Sequence, residues 1–313
     1  MLLVASTAAS RPLPLLARSG GRGAPPCIRT ARREALTALQ LRSSSSTLSC
    51  ACSPSPSPAP SPGDGGKGSA RHLFDDFSIL SPVVPWEPDD IWRIYAGYFF
   101  VLHIPLSFGG LGAVAKVLKC SSLDPMTTVV ISTVLLQLVE LSLALALLQY
   151  TAMAGNDVQA FFASKVSTRN WIKETIIGFT VLMILVWITS ILADKLVGSE
   201  DAYDPILKGI LSDSPTSKLL CFFLYCVIAP LSEETIYRGF LLTALSSSMK
   251  WRDAVVMSSL AFSVAHLSGE SFVQLFVIGC ITGLTYCRTG TLVASFTIHS
   301  LYNAVTLYMA LAS

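Results

Sequence analysis

The sequence has few charged residues for its length. Only 13% of its 313 residues are Asp, Glu, Lys or Arg, whereas 52% are hydrophobic and the mean hydropathy is +0.58. A soluble globular domain usually carries about 25% charged residues. The composition therefore argues against a soluble fold and favours a membrane protein.

Outside the N-terminus the chain also lacks any surplus of positive charge. The formal net charge is +2, but residues 1–70 contribute +6, because eight Lys and Arg face only Glu34 and Asp64. Residues 71–313 therefore carry a net charge of −4. The basic charge belongs to the N-terminal segment, and nucleic acid is not an expected partner.

Residues 1–70 lack the continuous apolar run that forms the core of a secretory signal peptide, because Arg11, Arg18 and several prolines interrupt every candidate. The segment is rich in Ala, Ser and Arg, poor in acids, and contains a Ser-Pro tract at 53–60. This composition predicts a transit peptide followed by a disordered linker. The serines at 43–46 favour a chloroplast over a mitochondrion, and a merely disordered tail is the alternative interpretation.

The eight cysteines form no CxxC pair and no Cys/His zinc spacing. The chain also contains no HExxH, no GxSxG and no GxGD, the signatures of the commoner zinc, serine and aspartic membrane proteases. Four cysteines lie in or beside apolar runs and are predicted to be small buried hydrophobic residues: Cys221, Cys226, Cys280 and Cys287.

Long apolar runs recur beyond residue 90. About seven stretches approach the roughly 20 residues that cross a bilayer as a helix, which predicts an all-α, polytopic membrane protein. The stretches are 91–118, 126–150, 176–193, 219–248, 254–267, 272–286 and 292–311.

Three parts of the chain differ in character. Residues 1–70 are the targeting segment and linker, residues 71–218 hold the first transmembrane helices and an acidic loop at 194–218, and residues 219–313 form the predicted functional domain. In that last part Pro230 is expected to kink a helix, because it cannot donate a backbone hydrogen bond. The GxxxG formed by Gly279 and Gly283 predicts close helix packing.

Ionisable residues fall into three groups within the last part, where a membrane helix tolerates them least. Each charge at the centre of a bilayer costs about 2.5–3.5 kcal/mol, so these residues require partners inside the protein. The groups are Glu233, Glu234 and Arg238, then Phe262 and His266, then His299 and Asn303.

The two adjacent acids are predicted to have different roles. Arg238 follows Glu234 by four residues, about one helical turn, and can pair with it on the same face. Glu233 lies about 100° around the helix from Glu234 and need not share that partner. One carboxylate is therefore predicted to be structural and the other free to react.

Two of the four histidines, His266 and His299, lie in these apolar stretches. Histidine can hold a water molecule and exchange a proton with it near neutral pH. His299 and Asn303 are four residues apart, share a helix face and could both donate to a developing oxyanion. A single ion pair or a single buried histidine is as often a packing feature, so the conjunction of three helices carries this prediction.

The motifs EExxxR, FxxxH and HxxxN occur in that order over residues 233–303. In this respect the chain resembles the family of type II CAAX prenyl proteases and bacteriocin-processing enzymes, also called CPBP or Abi. The resemblance covers roughly the last hundred residues. It implies an Rce1-like helical fold with a conical cavity, in which a glutamate and a histidine activate water for peptide-bond hydrolysis.

The resemblance also implies residue roles. Glu233 would be the general base, His266 would help to hold and activate water, and His299 with Asn303 would form the oxyanion site. Glu234 and Arg238 would support them, with Phe262 as a packing neighbour. Relatives were first described as metalloproteases, but ligand type and spacing here do not favour a zinc site, and no cofactor is expected.

The expected partners are a lipid bilayer and a membrane protein or peptide substrate, in the thylakoid or inner envelope membrane of a chloroplast. A prenylated CAAX substrate is not expected in a plastid. Two alternatives remain open at this point. One is a catalytically silent scaffold or regulator of chloroplast or pigment biogenesis, and the other is a proton-coupled transporter that uses Glu140, Glu233 and the histidines as a relay.

Overall fold

A computed structural model describes residues 77–80, 83–118, 125–163, 170–197, 205–269 and 271–312. The predicted transit peptide and linker, residues 1–70, lie outside the described residues. The described residues are mainly helical, with no strand among them, which confirms the all-α prediction. They belong to one compact unit.

The helices are numbered in chain order, and four segments with π-helical hydrogen bonding are numbered separately. Before α1 lies a short 3-10 turn, Pro88–Asp90. The α-helices are α1 Ile91–Gly97, α2 Leu111–Leu118, α3 Pro125–Thr151, α4 Val158–Ala163, α5 Trp171–Val197, α6 Pro205–Ser212, α7 Pro215–Phe223, α8 Ala229–Glu234, α9 Thr243–Ser248, α10 Trp251–Ala265, α11 Phe272–Thr289 and α12 Leu292–Ala312. The π segments are π1 Tyr98–His103, π2 Leu106–Gly110, π3 Leu224–Ile228 and π4 Thr235–Leu242.

Four described helices are long and apolar enough to cross a membrane. They overlap four of the seven predicted stretches. The other three stretches are also mainly helical, but their helices are too short or not apolar enough to count as spans. The count of seven therefore stays a prediction. The four spans are Met126–Thr151, Trp171–Leu192, Pro215–Ser248 and Phe272–Thr289.

Pro215–Ser248, called the long helix here, is continuous through α7, π3, α8, π4 and α9. Its start is set by the side chain of Ser214, which accepts a hydrogen bond from the backbone N–H of Ser217, and by Pro215 at the first helical position. A π turn bonds residues five apart and is frequent at functional sites. Here two π segments flank the turn that carries the adjacent glutamates.

The surface of α5 is apolar. Ile184, Trp187 and Ile188 are exposed, and only 17% of the apolar 18-residue segment of this helix is buried inside the protein. Polar side chains such as Ser259 and Thr282 are instead buried. Apolar side chains outside and polar side chains inside are the arrangement expected in hydrocarbon, where the hydrophobic effect does not drive helices together.

Small residues allow α10 and α11 to pack closely, as the GxxxG predicts. A Cβ atom on Gly279 would lie 2.9 Å from Cβ of Ser259 and 3.0 Å from its Cα. A Cβ atom on Gly283 would lie 3.4 Å from Val255. Any larger residue at Gly279 would meet the backbone of Ser259 and push α10 away from α11.

The predicted acidic loop at 194–218 is partly wrong. α5 continues to Val197 and α6 occupies Pro205–Ser212. In α6, Ile210 and Leu211 are fully buried and belong to an apolar cluster with residues such as Val130. The acids and lysines in this region led to the prediction of a solvent-exposed loop. A short amphipathic helix can nevertheless bury its one apolar face, as α6 does.

Candidate active site

The fold brings six of the seven motif residues into mutual contact and places Asn303 one helical turn beyond His299. Glu233 and Glu234 end α8, and Arg238 follows in π4. Phe262 lies in the last turn of α10 and His266 follows that helix as its C-cap residue. α12 contributes His299 and Asn303.

Glu234 lies between two partners. Its Oε2 is 3.2 Å from Nε of Arg238, so the ion pair predicted from the spacing is present. Its Oε1 is 2.9 Å from Nδ1 of His299, a contact that the sequence did not predict. Both Glu234 and Arg238 are only 1% exposed. One carboxylate therefore joins the long helix to α12.

Arg238 is held on its other side by α11 and α10. One terminal nitrogen donates to the carbonyl of Gly279 at 3.3 Å and to the hydroxyl of Thr282. The guanidinium lies over the ring of Phe262, 4.6 Å from its centroid. That ring also packs edge-on against His266, at 4.5 Å between centroids. Phe262 thus separates the buried ion pair from His266.

Glu233 faces the two histidines instead. Its Oε2 lies 3.8 Å from Nε2 of His266 and 3.7 Å from Nε2 of His299. These distances exceed a direct hydrogen bond, yet one water molecule can bridge atoms so spaced. The Glu233 side chain is 11% exposed, against 1% for Glu234. The two neighbouring carboxylates thus occupy different environments.

The hydrogen-bond partners assign the protons of the two imidazoles. Nδ1 of His266 lies 2.8 Å from the carbonyl of Phe262, which can only accept, so Nδ1 carries a proton. A neutral His266 then presents the lone pair of Nε2 to Glu233. Nδ1 of His299 faces the carboxylate of Glu234 in the same way. The reactive edge of both rings is therefore Nε2.

Asn303 replaces a backbone hydrogen bond that Pro230 cannot make. In π3 the N–H of Ala229 bonds to the carbonyl of Leu224, five residues earlier. The next such bond would run from residue 230 to Tyr225, and proline has no N–H. Nδ2 of Asn303 donates to the carbonyl of Tyr225 at 2.8 Å. The amide group of Asn303 retains a second N–H, which the predicted oxyanion role requires.

A further buried polar cluster lies next to these residues and was not predicted as part of the site. Tyr98, His103 and Glu140 bond to one another, and His103 also reaches the carbonyl of Ala265. A signal existed in the sequence, since His103 and Glu140 are ionisable residues inside apolar stretches. No residue spacing links them to the three motifs.

No group of three or more His, Cys, Asp or Glu side chains among the described residues has an arrangement that could hold a metal ion. Among the described cysteines, Cys221 and Cys287 are buried, whereas Cys226 and Cys280 are partly exposed. The prediction of small buried residues is therefore confirmed for the first two.

The comparisons with known proteins agree with the motif resemblance. Residues 215–305 match the family model of the Rce1-like type II CAAX prenyl endopeptidases. The chain is 27% identical over 138 residues to the membrane-embedded CAAX protease MroQ of Staphylococcus aureus (strain USA300), which covers 42% of this chain and 55% of that protein. It is 28% identical over 102 residues to an uncharacterized 24.3 kDa protein of Escherichia coli, covering 31% and 47% respectively.

The chain thus spans about half the length of the curated relatives that it matches. No solved structure gives a significant match. The resemblance to the CAAX protease family is confirmed for residues 215–305 and says nothing of the helices before them.

Proposed function

We propose that this protein is an intramembrane endopeptidase in which Glu233 and His266 activate a water molecule. One observation carries the proposal: Oε2 of Glu233 faces Nε2 of both His266 and His299 at a spacing that suits one bridging water. The match of residues 215–305 to the Rce1-like type II CAAX prenyl endopeptidases supports endopeptidase activity.

In the proposed reaction, Glu233 takes a proton from the water. At the same time the water oxygen bonds to the carbonyl carbon of the scissile peptide. The lone pair on Nε2 of His266 accepts the other hydrogen of that water and so orients it. The oxyanion that forms receives hydrogen bonds from His299 and Asn303. Glu233 then returns its proton to the leaving nitrogen as the carbon–nitrogen bond breaks.

The carboxylate of Glu234 lies 2.9 Å from Nδ1 of His299 and can fix the orientation of that ring. The proposed oxyanion role requires a proton on Nε2 of His299, because only an N–H can donate. Arg238 in turn holds Glu234 in place. Glu234 and Arg238 are therefore proposed to act through His299, without touching the substrate.

The proposed substrates are membrane proteins or peptides of plastids. The test compares protein N-termini in plastid membranes with and without an active copy of the chain. We expect new N-termini within or beside hydrophobic segments only where the active copy is present. An identical set of N-termini in both membranes would argue against proteolysis.

Metal dependence is a second test of the mechanism. The proposed base is a carboxylate and the water is held by imidazole, so no metal is needed. The cleavage rate with a chelator should therefore stay within about twofold of the untreated rate, and no stoichiometric metal should copurify. Activity and metal content would be measured on the same purified sample. One tightly bound zinc per chain whose removal abolishes turnover would instead indicate a metalloprotease.

The proposed location is a chloroplast membrane, with residues 1–70 as the targeting segment. A fusion of residues 1–70 to a fluorescent reporter should enter chloroplasts. A reporter found only in the cytosol or in mitochondria would contradict this assignment.

A further inference from the structure

The cluster of Tyr98, His103 and Glu140 lies outside the residues that match the family model. Tyr98 donates its hydroxyl hydrogen to Oε1 of Glu140 at 2.8 Å, and Nδ1 of His103 is 2.6 Å from the same oxygen. His103 and Glu140 are each 2% exposed. Such burial of an imidazole and a carboxylate requires that each satisfy the other.

The local helix geometry explains why Tyr98 and His103 reach one carboxylate. They are the first and last residues of π1 and are five positions apart. A π turn bonds residues five apart, so Tyr98 and His103 lie one turn apart on nearly the same side of the helix. An α-helix would separate the two side chains by about 140° and leave Glu140 on α3 with one partner only.

The imidazole of His103 also contacts the end of α10, directly before His266. Nε2 of His103 lies 3.3 Å from the carbonyl of Ala265, the last residue of α10. Carbonyls in the last turn of a helix have no partner within the helix. His103 supplies the missing donor for the peptide group directly before His266.

The backbone after this carbonyl is strained. Leu267 has φ of 53°, and among the described residues no other non-glycine residue has a positive φ. A non-glycine residue in the left-handed region is strained and persists only when its surroundings hold it. The hydrogen bond from His103 to the carbonyl of Ala265 anchors the backbone two residues before Leu267.

The carbonyl of Ala265 can only accept a hydrogen bond, so its contact with His103 requires a proton on Nε2. Nε2 therefore serves as the donor to Ala265, and Nδ1 faces Glu140 and Tyr98.

We propose that His103, supported by Glu140 and Tyr98, is a positioning residue that fixes the turn from which His266 faces Glu233. This inference rests on the proposed function. It assigns a role to the N-terminal helices, which carry none of the three motifs.

The test uses two amides of different length in place of the imidazole. Glu140→Gln provides the parent, so that neither substitution leaves a buried charge unpaired. In that parent, His103→Gln keeps an N–H near the position of Nε2, within reach of Ala265. His103→Asn keeps an N–H near the position of Nδ1 and loses the bond to Ala265. Each protein would be purified and reconstituted in lipid vesicles with a cleavable membrane peptide.

We expect kcat of the His103→Gln protein to stay within about threefold of the parent. His103→Asn should lower kcat about 10–100-fold, the usual size for a group that orients a site residue through a hydrogen bond, with KM and the thermal unfolding temperature little changed. Equal kcat values for the two variants would overturn the proposal. So would an Asn variant whose loss of activity follows a matching loss of stability.

Amide hydrogen exchange at residues 266–269 gives a readout that does not need cleavage. Exchange should be faster in His103→Asn than in His103→Gln, and equal rates would refute the positioning role. Absence of cleavage by the unaltered protein would count against the proposed function, while the exchange rates would still decide the role of His103.

Discussion

Glu233→Gln is expected to lower cleavage about 10²–10⁴-fold while the protein accumulates normally. Glutamine keeps the size of the side chain and its capacity for hydrogen bonds but cannot accept a proton from water, so the general base is lost. The Glu233 carboxylate has no ion-pair contact with Arg238, and its nearest imidazole nitrogens are 3.7 and 3.8 Å away. Folding should therefore be little affected.

Glu234→Gln is the matched comparison, because it changes the same group on the same helix. It removes the carboxylate from Arg238 and from His299 together. We therefore expect this variant to lose abundance as well as activity. Both variants would be expressed in plastids that lack the native copy, with accumulation followed by immunoblot and function by new N-termini. Full rescue by abundant Glu233→Gln protein would exclude the protease mechanism and leave the scaffold function.

Arg238→Ala is expected to lower the free energy of unfolding by about 3–5 kcal/mol, because it strands the Glu234 carboxylate in the interior. Both groups of this pair are 1% exposed, so solvent cannot take over the role of the guanidinium. The substitution also removes the contact with Phe262 and the hydrogen bond to Gly279. Thermal unfolding in mild detergent and protein abundance would measure the loss.

Arg288→Ala provides a control for the loss of an arginine ion pair. Nε of Arg288 lies 2.7 Å from Glu174, but the Arg288 side chain is 40% exposed, so stability should change by about 1 kcal/mol or less. Combining Glu234→Gln with Arg238→Met removes both charges and should recover part of the lost stability. Equal losses in the Arg238 and Arg288 variants would contradict a special role for the buried pair.

The spacing of residues predicted contacts correctly where both partners lie on a single helix. Glu234 and Arg238 are four residues apart, and their ion pair followed from helix geometry. The order of the three motifs indicated that distant helices converge. Neither argument could show that Glu234 also binds His299, because that contact depends on how two helices pack across 65 positions of sequence.

Other features depend on backbone details that residue patterns do not reveal. Pro230 predicted a disturbed helix, but the π register that leads to Tyr225 and the donor that replaces the missing N–H become visible only in three dimensions. His103 and Glu140 each looked like isolated polar residues, since their link is a tertiary contact between separate apolar stretches. α6 was missed because the charges around it outweighed its short apolar face.

The bond from Asn303 to Tyr225 limits the routes by which a peptide can enter. Within hydrocarbon no water is available to replace a broken bond to a backbone carbonyl, and each unsatisfied group costs several kcal/mol. Parting the long helix from α12 would break this bond and the contact between His299 and Glu234 as well. In the proposed mechanism, a substrate would therefore reach Glu233 by a path that leaves the long helix and α12 in contact. Entry would then depend on the other helices around Glu233. Helices without any of the three motifs could thus determine which peptides reach it.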